Sequence, residues 1–442
     1  MVKRLSIMLA FMLLALSLAA CSSGSTSGGS KEGNKAGNEE ASGAAASGKA
    51  DKKVKLTVWL WPGMGIEEQM KQYAAENNIE LDIQLSPFAD VHNNLQTALA
   101  AGNGAPDISA VEVKVIERFK SNPEQFYNLL ELNAEDIESD YMDWKWKQAM
   151  TGDGANLLGI PTDIGPMAMA YRTDVFEKAG LPTDPAEVTA QINTWDAFIE
   201  AGKQVRAKAN VGMIDNAASL LTVMVGQGDE KYFKPDGTMI LKDNPQVKKA
   251  WNYANKAIEA NITSNVDTWS TEWGTGMTKG DFAVQLAPAW MMGFMKTNAP
   301  DAKGKWNIAL MPEGSGNWGG SFLTIPKQSK YPQEAYNLIK WLLSPEQQLV
   351  TFQKNGNFPS TPALFETEDI QNFKDEYFSN APVGQIYSEA AKLVKPVYEG
   401  PDSQTVEDTL NKAITSVEDK QAKPEDAWSS AVQDIERQLS RK

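Results

Sequence analysis

Two runs of strict alternation near the start of the folded chain limit its architecture more than any other feature. Val54 to Trp61, VKLTVWLW, sets Val54, Leu56, Val58 and Leu60 against Lys55, Thr57, Trp59 and Trp61. Ile79 to Leu85 sets Ile79, Leu81, Ile83 and Leu85 against Glu80, Asp82 and Gln84. A period of two is the signature of a strand. Between the runs, Ile66 to Asn77 carries Ile66, Met70, Tyr73 and Ala74 at helical spacing. Asp90 is expected to cap a second helix bearing Val91, Leu95, Ala98 and Leu99, closed by Gly102. Asp107 to Glu112, DISAVE, reads as a third strand. Strand, helix, strand, helix, strand in this order predicts an α/β fold with a parallel sheet and right-handed crossovers. In such sheets ligands sit beyond the carboxyl ends of the strands. Here those ends carry Trp59 and Trp61, then Phe88 and Asp90, then Glu112.

The chain has 442 residues, too many for one ordinary core, so two lobes are expected. The stretch Gly159 to Pro185 reads as the first crossing between them. Pro161 and Pro166 keep the backbone extended, and Met167, Met169 and Tyr171 form an apolar run. A short helix with Val175, Phe176 and Ala179 follows, ending at Gly180.

The N-terminus speaks to location. Lys3 and Arg4 precede the apolar run Leu5 to Ala20, which has the form of a secretory leader (residues 1–20) and is short for a membrane span. Leu18-Ala19-Ala20-Cys21 resembles the bacterial lipobox, whose Cys carries lipid and becomes the new N-terminus. Residues 21–53 continue with Ser, Gly, Ala and scattered charge, and 32 residues of such chain (Ser22 to Lys53) would span roughly 30 Å as a flexible tether. No later stretch is apolar enough to span a bilayer. The formal charge is −15, and two units more negative without residues 1–20, which argues against a nucleic-acid partner.

The second half supplies further landmarks. Thr194-Trp195-Asp196 begins a Thr-capped helix, and Tyr232 to Leu241 suggests a hairpin at Pro235-Asp236-Gly237. A Thr- and Gly-rich loop surrounds Trp269 and Trp273. Phe282 to Leu286 reads as a strand returning to the first lobe and delivering Trp290. Trp306 to Met311 is another strand, and Ser321 to Pro326 is the crossing back, after the loop that holds Trp318 and Gly319. Ser344-Pro345-Glu346-Gln347 has the pattern of a capping box, and Val406 to Leu439 reads as two amphipathic helices. The expected lobes are therefore 54–165 with 282–318, and 166–281 with 319–442.

No catalytic constellation, metal site or cofactor is expected. His92 is the only His and Cys21 the only Cys, so triads and transition-metal sites lack their parts. Pro62-Gly63-Met64-Gly65 has neither dinucleotide nor P-loop spacing. Glycoside hydrolysis needs only two carboxylates, for which Glu112 and Asp163 are candidates.

The motifs resemble one family. PTDIGPMAMAYRTDVFEKAGL from Pro161 is similar to the crossing segment of the extracellular solute-binding proteins (family 1), the sugar-binding lipoproteins of bacterial carbohydrate ABC importers. Further matches are MTKGDFAVQLAPAW from Met277 to Trp290, the block Gly319 to Gln348 with LLSPEQQ, and Gly356-Asn357-Phe358-Pro359. The resemblance covers residues 54 to 442. It implies a two-lobe periplasmic-binding-protein-like (type II) fold, each lobe a mainly parallel sheet flanked by helices. Crossings are implied near residues 165 and 320, with the ligand cleft between the lobes. It also implies hinge closure on an oligosaccharide, delivery to the permease subunits, and a monomer anchored through Cys21 to the outer face of the cytoplasmic membrane. The expected contacts are Trp61, Asp90, Glu112, Asp163, Trp273, Trp290, Trp318 and Gly319. Trp faces would stack on sugar rings and carboxylates would accept from hydroxyls. Beyond residue 20 there are only five Arg, which favours a neutral ligand over a phosphate ester, a uronate or a peptide carboxylate. Arg172, where the family usually has Asn, would restore weight to an acidic sugar if it faced the cleft.

Overall fold

The computed structural model describes residues 53–441, so Cys21, the leader and nearly all of the tether lie outside the described residues. Among the described residues, nine strands divide between two sheets. The first contains β1 (Val54–Leu60), β2 (Ile79–Leu85), β3 (Ile108–Glu112), β4 (Gly159–Pro161) and, late in the chain, β9 (Ser321–Thr324). Its order is β2-β1-β3-β9-β4. The second contains β5 (Met167–Arg172), β6 (Gly212–Ile214), β7 (Phe282–Pro288) and β8 (Trp306–Ala309), in the order β6-β7-β5-β8.

In each sheet all strands but one run the same way. The odd strand in the first sheet is β9, antiparallel to both β3 and β4. In the second it is β5, antiparallel to both β7 and β8. These are the two strands that arrive from the other lobe. The chain leaves one sheet at the carboxyl ends of its strands and enters the other at the same side, so the arriving strand must run backwards.

This topology confirms the crossings and corrects the lobe boundaries. Phe282 to Leu286 does not return to the first lobe. It pairs with β5 and β6 in the second sheet, so 282–318 belongs with 166–281. Residues 321–324 enter the first sheet, and the helix Pro332–Leu342 packs Ala335, Leu338, Ile339 and Leu342 into the first lobe's core with Val58, Leu60 and Val111. The C-terminal helices Ser403–Glu418 and Pro424–Leu439 pack Val406, Leu410, Ile414 and Ile435 into the second lobe's core. The span 319–442 is thus shared between lobes.

The second sheet is covered on both faces. Met167, Met169 and Tyr171 face one apolar cluster, while Ala168 and Ala170 face another. That explains why β5 and β7 read as unbroken apolar runs rather than alternating ones.

The crossings clamp one another. Trp318 N donates to Gly165 O at 2.8 Å, and Gly165 N donates to Asn317 Oδ1 at 2.8 Å. A methyl group on Gly165 would come within 1.9 Å of Trp318 O, so no other residue fits there. Ile164 N also donates to Phe358 O at 2.9 Å, which ties in the segment after the helix Pro345–Asn355.

Two expected caps differ. Asp90 lies inside the first turn of the helix Phe88–Ala101, and Pro87 holds the capping position. Ser344 stands at the N-cap of its helix without a side-chain capping bond. Thr194 does cap, accepting from Ala197 N at 3.1 Å. Among the described residues no helix is long and apolar enough to cross a membrane.

Candidate functional site

The carboxyl ends of β1, β2 and β3 form the first lobe's contribution. Trp61, just past β1, is half-buried and packs edge-on against Phe88 with ring centroids 5.2 Å apart. Phe88 is 42% exposed, so the pair presents an open aromatic shelf. Asp90 is exposed beside it. Behind the shelf, His92 is buried and 5.3 Å from the Trp61 ring. His92 Nδ1 donates to Phe88 O at 2.8 Å, and Nε2 accepts from Glu112 N at 3.1 Å. Both ring nitrogens are therefore occupied, and burial pushes the imidazole's pKa down to about 4. His92 is a neutral spacer that fixes the end of β3 under Trp61.

Glu112 and Asp163 are buried, and each has structural duties. Glu112 caps the helix Val113–Lys120 by accepting from Lys114 N at 2.7 Å. Burial raises its pKa to about 7 although Lys114 opposes this. Asp163 Oδ1 accepts from Thr162 Oγ1 at 2.6 Å and Ser321 N at 3.1 Å, joining the two crossings. Burial raises its pKa as well. The register pairs Glu112 with Ser321, so both carboxylates lie at the point where β9 enters the sheet.

The second lobe faces them with a cluster of tryptophans. Trp290 follows β7 and donates from Nε1 to Trp318 O at 2.8 Å, with its ring edge-on to Trp318 at 6.0 Å. Gly319, at φ +85°, leaves room for that indole, because a methyl there would come within 3.0 Å of Trp290 Nε1. Trp290, Trp318 and Gly319 are thus brought together as expected.

Trp273 is a correction. It is 1% exposed, and its Nε1 donates to Asp215 Oδ2 at 3.0 Å and Gln285 Oε1 at 3.2 Å. It lies beneath the site and offers no free face. The exposed tryptophan of that loop is Trp269, which the sequence reading did not select. Trp269 is 50% exposed and nearly parallel to Trp290 (17°, centroids 6.1 Å). It packs edge-on to Trp273 and Phe294. Its φ of +73° is rare for an aromatic residue, and such strain concentrates at functional positions. Ser270, which caps the following helix by accepting from Trp273 N at 3.1 Å, was the local signal that could have oriented this loop.

Asp215 was also missed, because β6 is only three residues long and shows no alternation. Its carboxylate is fully buried and accepts from Trp273, Ser219, Thr268 and Asn216 N. Burial nevertheless pushes its pKa up to about 7. It anchors the floor on which Trp269 and Trp290 rest.

Arg172 does not face the cleft. It is 1% exposed at the far end of β5, opposite Trp306. It pairs with Asp174 through Nε at 2.9 Å and a terminal nitrogen at 2.7 Å, and donates to the carbonyls of Met277 and Thr278. The argument it lent to an acidic ligand is removed.

The lobes also meet through buried charge. Lys114 of the first lobe pairs at 2.6 Å with Glu407 of the second, both nearly buried. Within the second lobe, Lys231 pairs with Glu399. Beside these a groove of about 970 Å³ runs between the lobes, lined by Val113, Glu117, Trp144, Val397, Tyr398 and Glu399 among others. A smaller depression of about 450 Å³ adjoins Trp269. Among the described residues no cluster of His, Cys, Asp and Glu is disposed to hold a metal ion.

Comparison with known proteins agrees with this architecture. The family of bacterial extracellular solute-binding proteins matches residues 68–376. The chain is 25% identical over 414 residues to the arabinooligosaccharide-binding protein of Bacillus subtilis (strain 168), spanning 88% of this chain and 93% of that one. It is 28% identical over 360 residues to the lactose-binding protein of Rhizobium radiobacter, spanning 76% and 81%. A crystal structure of an extracellular solute-binding protein of family 1 superposes with a TM-score of 0.78 at 33% identity, over 87% of this chain and 99% of that one. By its matched residues, its two-lobe topology and its likeness to that structure, the chain belongs to the bacterial extracellular solute-binding proteins.

Proposed function

We propose that this protein captures a neutral oligosaccharide between its lobes and delivers it, unaltered, to the membrane subunits of an ABC importer. The observation that carries this reading is the pair of aromatic shelves at the strand ends: Trp61 with Phe88 in the first lobe, Trp269 with Trp290 and Trp318 in the second. Indole faces stack on the apolar faces of sugar rings. The carboxylates of Asp90, Glu112 and Asp163 accept from hydroxyls, and Gly319 allows close backbone approach. Trp273 acts from beneath, through Asp215. The Arg that could have bound an anion is consumed elsewhere. The relatives named for arabinooligosaccharide and lactose binding support the same class.

Closure follows from ligand contacts shared by both lobes, which favour the closed state by their differential affinity. The protein acts as a monomer, exported and held by lipid on Cys21, with residues 22–53 as a tether. The test is a thermal-shift screen of the full chain against arabinotriose, lactose, digalacturonate, a peptide and glycerol phosphate, with the ligand recovered afterwards. A sugar at about 100-fold its Kd adds about 2.7 kcal/mol of stability. Recovery of a cleaved sugar would replace this reading with that of a glycosidase using Glu112 and Asp163. A shift from the peptide or glycerol phosphate alone would keep the fold and change the ligand.

A further inference from the structure

Lys145 is the most unusual charged group in the molecule. It sits on the short helix Asp143–Gln148, is completely buried, and its Nζ has no hydrogen-bond partner. A buried lysine without a partner is costly, and the fold retains such groups where they serve function. The ammonium lies 4.2 Å over the ring of Phe322 on β9. A methyl group on Gly320 would come within 2.8 Å of it, so Gly320 at φ +87° is what admits it to the crossing. It is therefore held at the junction of the first sheet and the hinge, where Asp163 also sits.

Two acceptors near this junction are likewise enclosed and unpartnered. One is Oδ1 of Asn357, whose Nδ2 points to Asp163 at 3.5 Å. The other is Oε2 of Glu399, which the second lobe supplies and which lines the groove between the lobes. The charges acting on the Lys145 ammonium are those of Asp163, Glu112 and Glu399, and burial outweighs them, pushing its pKa down to about 8. With Glu407 these make four carboxylates against the ammonium groups of Lys145, Lys114 and Lys231, an excess of one negative charge. A ligand carboxylate or phosphate entering here would meet that excess of negative charge. A hydroxyl both accepts and donates, so it can take a bond from the ammonium and give its own proton to a carboxylate or to Asn357.

We propose that Lys145 is a specificity-determining ligand contact, donating to a hydroxyl of a neutral sugar whose own O–H is donated across the cleft toward Glu399. This deepens the oligosaccharide reading and rests on it. Recognition and closure are then one event, because the ligand hydroxyl joins a first-lobe donor to a second-lobe acceptor.

The experiment is titration calorimetry of the full chain and of Lys145→Met with lactose, arabinotriose and digalacturonate, with melting curves of both unliganded proteins. The wild type should bind its neutral sugar at least about 100-fold tighter than digalacturonate. Lys145→Met should lose about 10- to 100-fold of that affinity, as expected for a hydrogen bond to a charged group. Its unliganded melting temperature should stay or rise, because an unpaired buried charge has been removed. A lowered melting temperature with affinity within threefold of wild type would make Lys145 purely structural and overturn the proposal while leaving the oligosaccharide reading intact. Digalacturonate binding as tightly as the neutral sugars would overturn the selection of a neutral ligand in the wild type itself, with no variant required. Should Lys145→Met not fold, Lys145→Arg decides: its broader head does not fit beside Gly320, and unchanged affinity in that variant would also overturn the proposal. No binding of any of the three sugars removes the oligosaccharide reading and this proposal together.

Discussion

The two halves of the cleft are built differently. The first lobe's half comes from a parallel sheet whose strands follow one another within about sixty residues, and each strand end adds one local group: Trp61, Phe88 with Asp90, Glu112. The second lobe's half is assembled from distant segments, with Asp215, Trp269, Trp290 and Trp318 brought together only by the order β6-β7-β5-β8. The first half is a surface of contacts made in place. The second is a stack in which each indole leans on the next and the lowest hangs on a buried carboxylate. Damage should therefore stay local in the first half and spread in the second.

The largest expected effect tests what joins the halves. Gly165→Ala should cost about 3 kcal/mol or more, because a methyl would collide with the backbone of the other crossing. Gly152→Ala in open surroundings should stay within about 0.5 kcal/mol. Urea unfolding of both variants is the measurement, and equal midpoints would mean that the crossings do not clamp each other.

Acid and base should separate the halves next. His92 has its pKa lowered from 6.5 to about 4, so it binds fewer protons folded than unfolded. Its contribution is lost as pH falls through that window, by about 3 kcal/mol at most. Asp215 has its pKa raised from 3.8 to about 7, so its contribution is lost as pH rises through that window. Unfolding of His92→Gln and Asp215→Asn from about pH 4 to about pH 7 should show the acid-side loss reduced in the first and the base-side loss reduced in the second, where Glu112 and Asp163 keep the remainder. The same pH slope in both variants and the wild type would break this assignment.

Ligand affinity gives the third contrast. Trp290→Ala removes a central ring and the support of Trp269 and Trp318, and should weaken binding about 100-fold, or about 2.7 kcal/mol. Trp61→Ala removes one face of a two-ring shelf and should cost about 10-fold. Calorimetry with the sugar found in the screen decides, and the reverse ranking would place the main platform in the first lobe. The smallest effect is Asp90→Asn, an exposed carboxylate at the rim, which should change affinity less than about threefold.

The same contrast explains what could be read from the sequence. β1, β2 and their ends were legible because seven residues of alternation leave little choice. The helix cap at Thr194 follows a local rule, and the crossings near 165 and 320 carried Pro and Gly punctuation. The membership of β7 was not legible. A strand buried on both faces reads as a plain apolar run, and nothing in FAVQLAP states which sheet it joins. Trp269 and Trp273 stand four residues apart on either side of a helix start, the helix Thr271–Lys279, and only packing decides which is under the floor and which is above it. Asp215 follows a three-residue strand, Gly212–Ile214, too short for any period. Lys145 gave no signal at all, since burial of a lysine depends on Gly320, far along the chain.

The place of β9 in the first sheet has a consequence for biosynthesis. It lies between β3 and β4, yet it is the last strand to be translated. Until residue 324 has been made, β3 keeps an unpaired edge and β4 has no neighbour in its sheet. The first lobe therefore cannot finish folding on a partly made chain, however early its first three strands emerge. Pairings so far apart in sequence are slow to form. A nascent chain that stays incomplete until nearly three-quarters of it exists is one that a translocation machinery can still thread through a membrane.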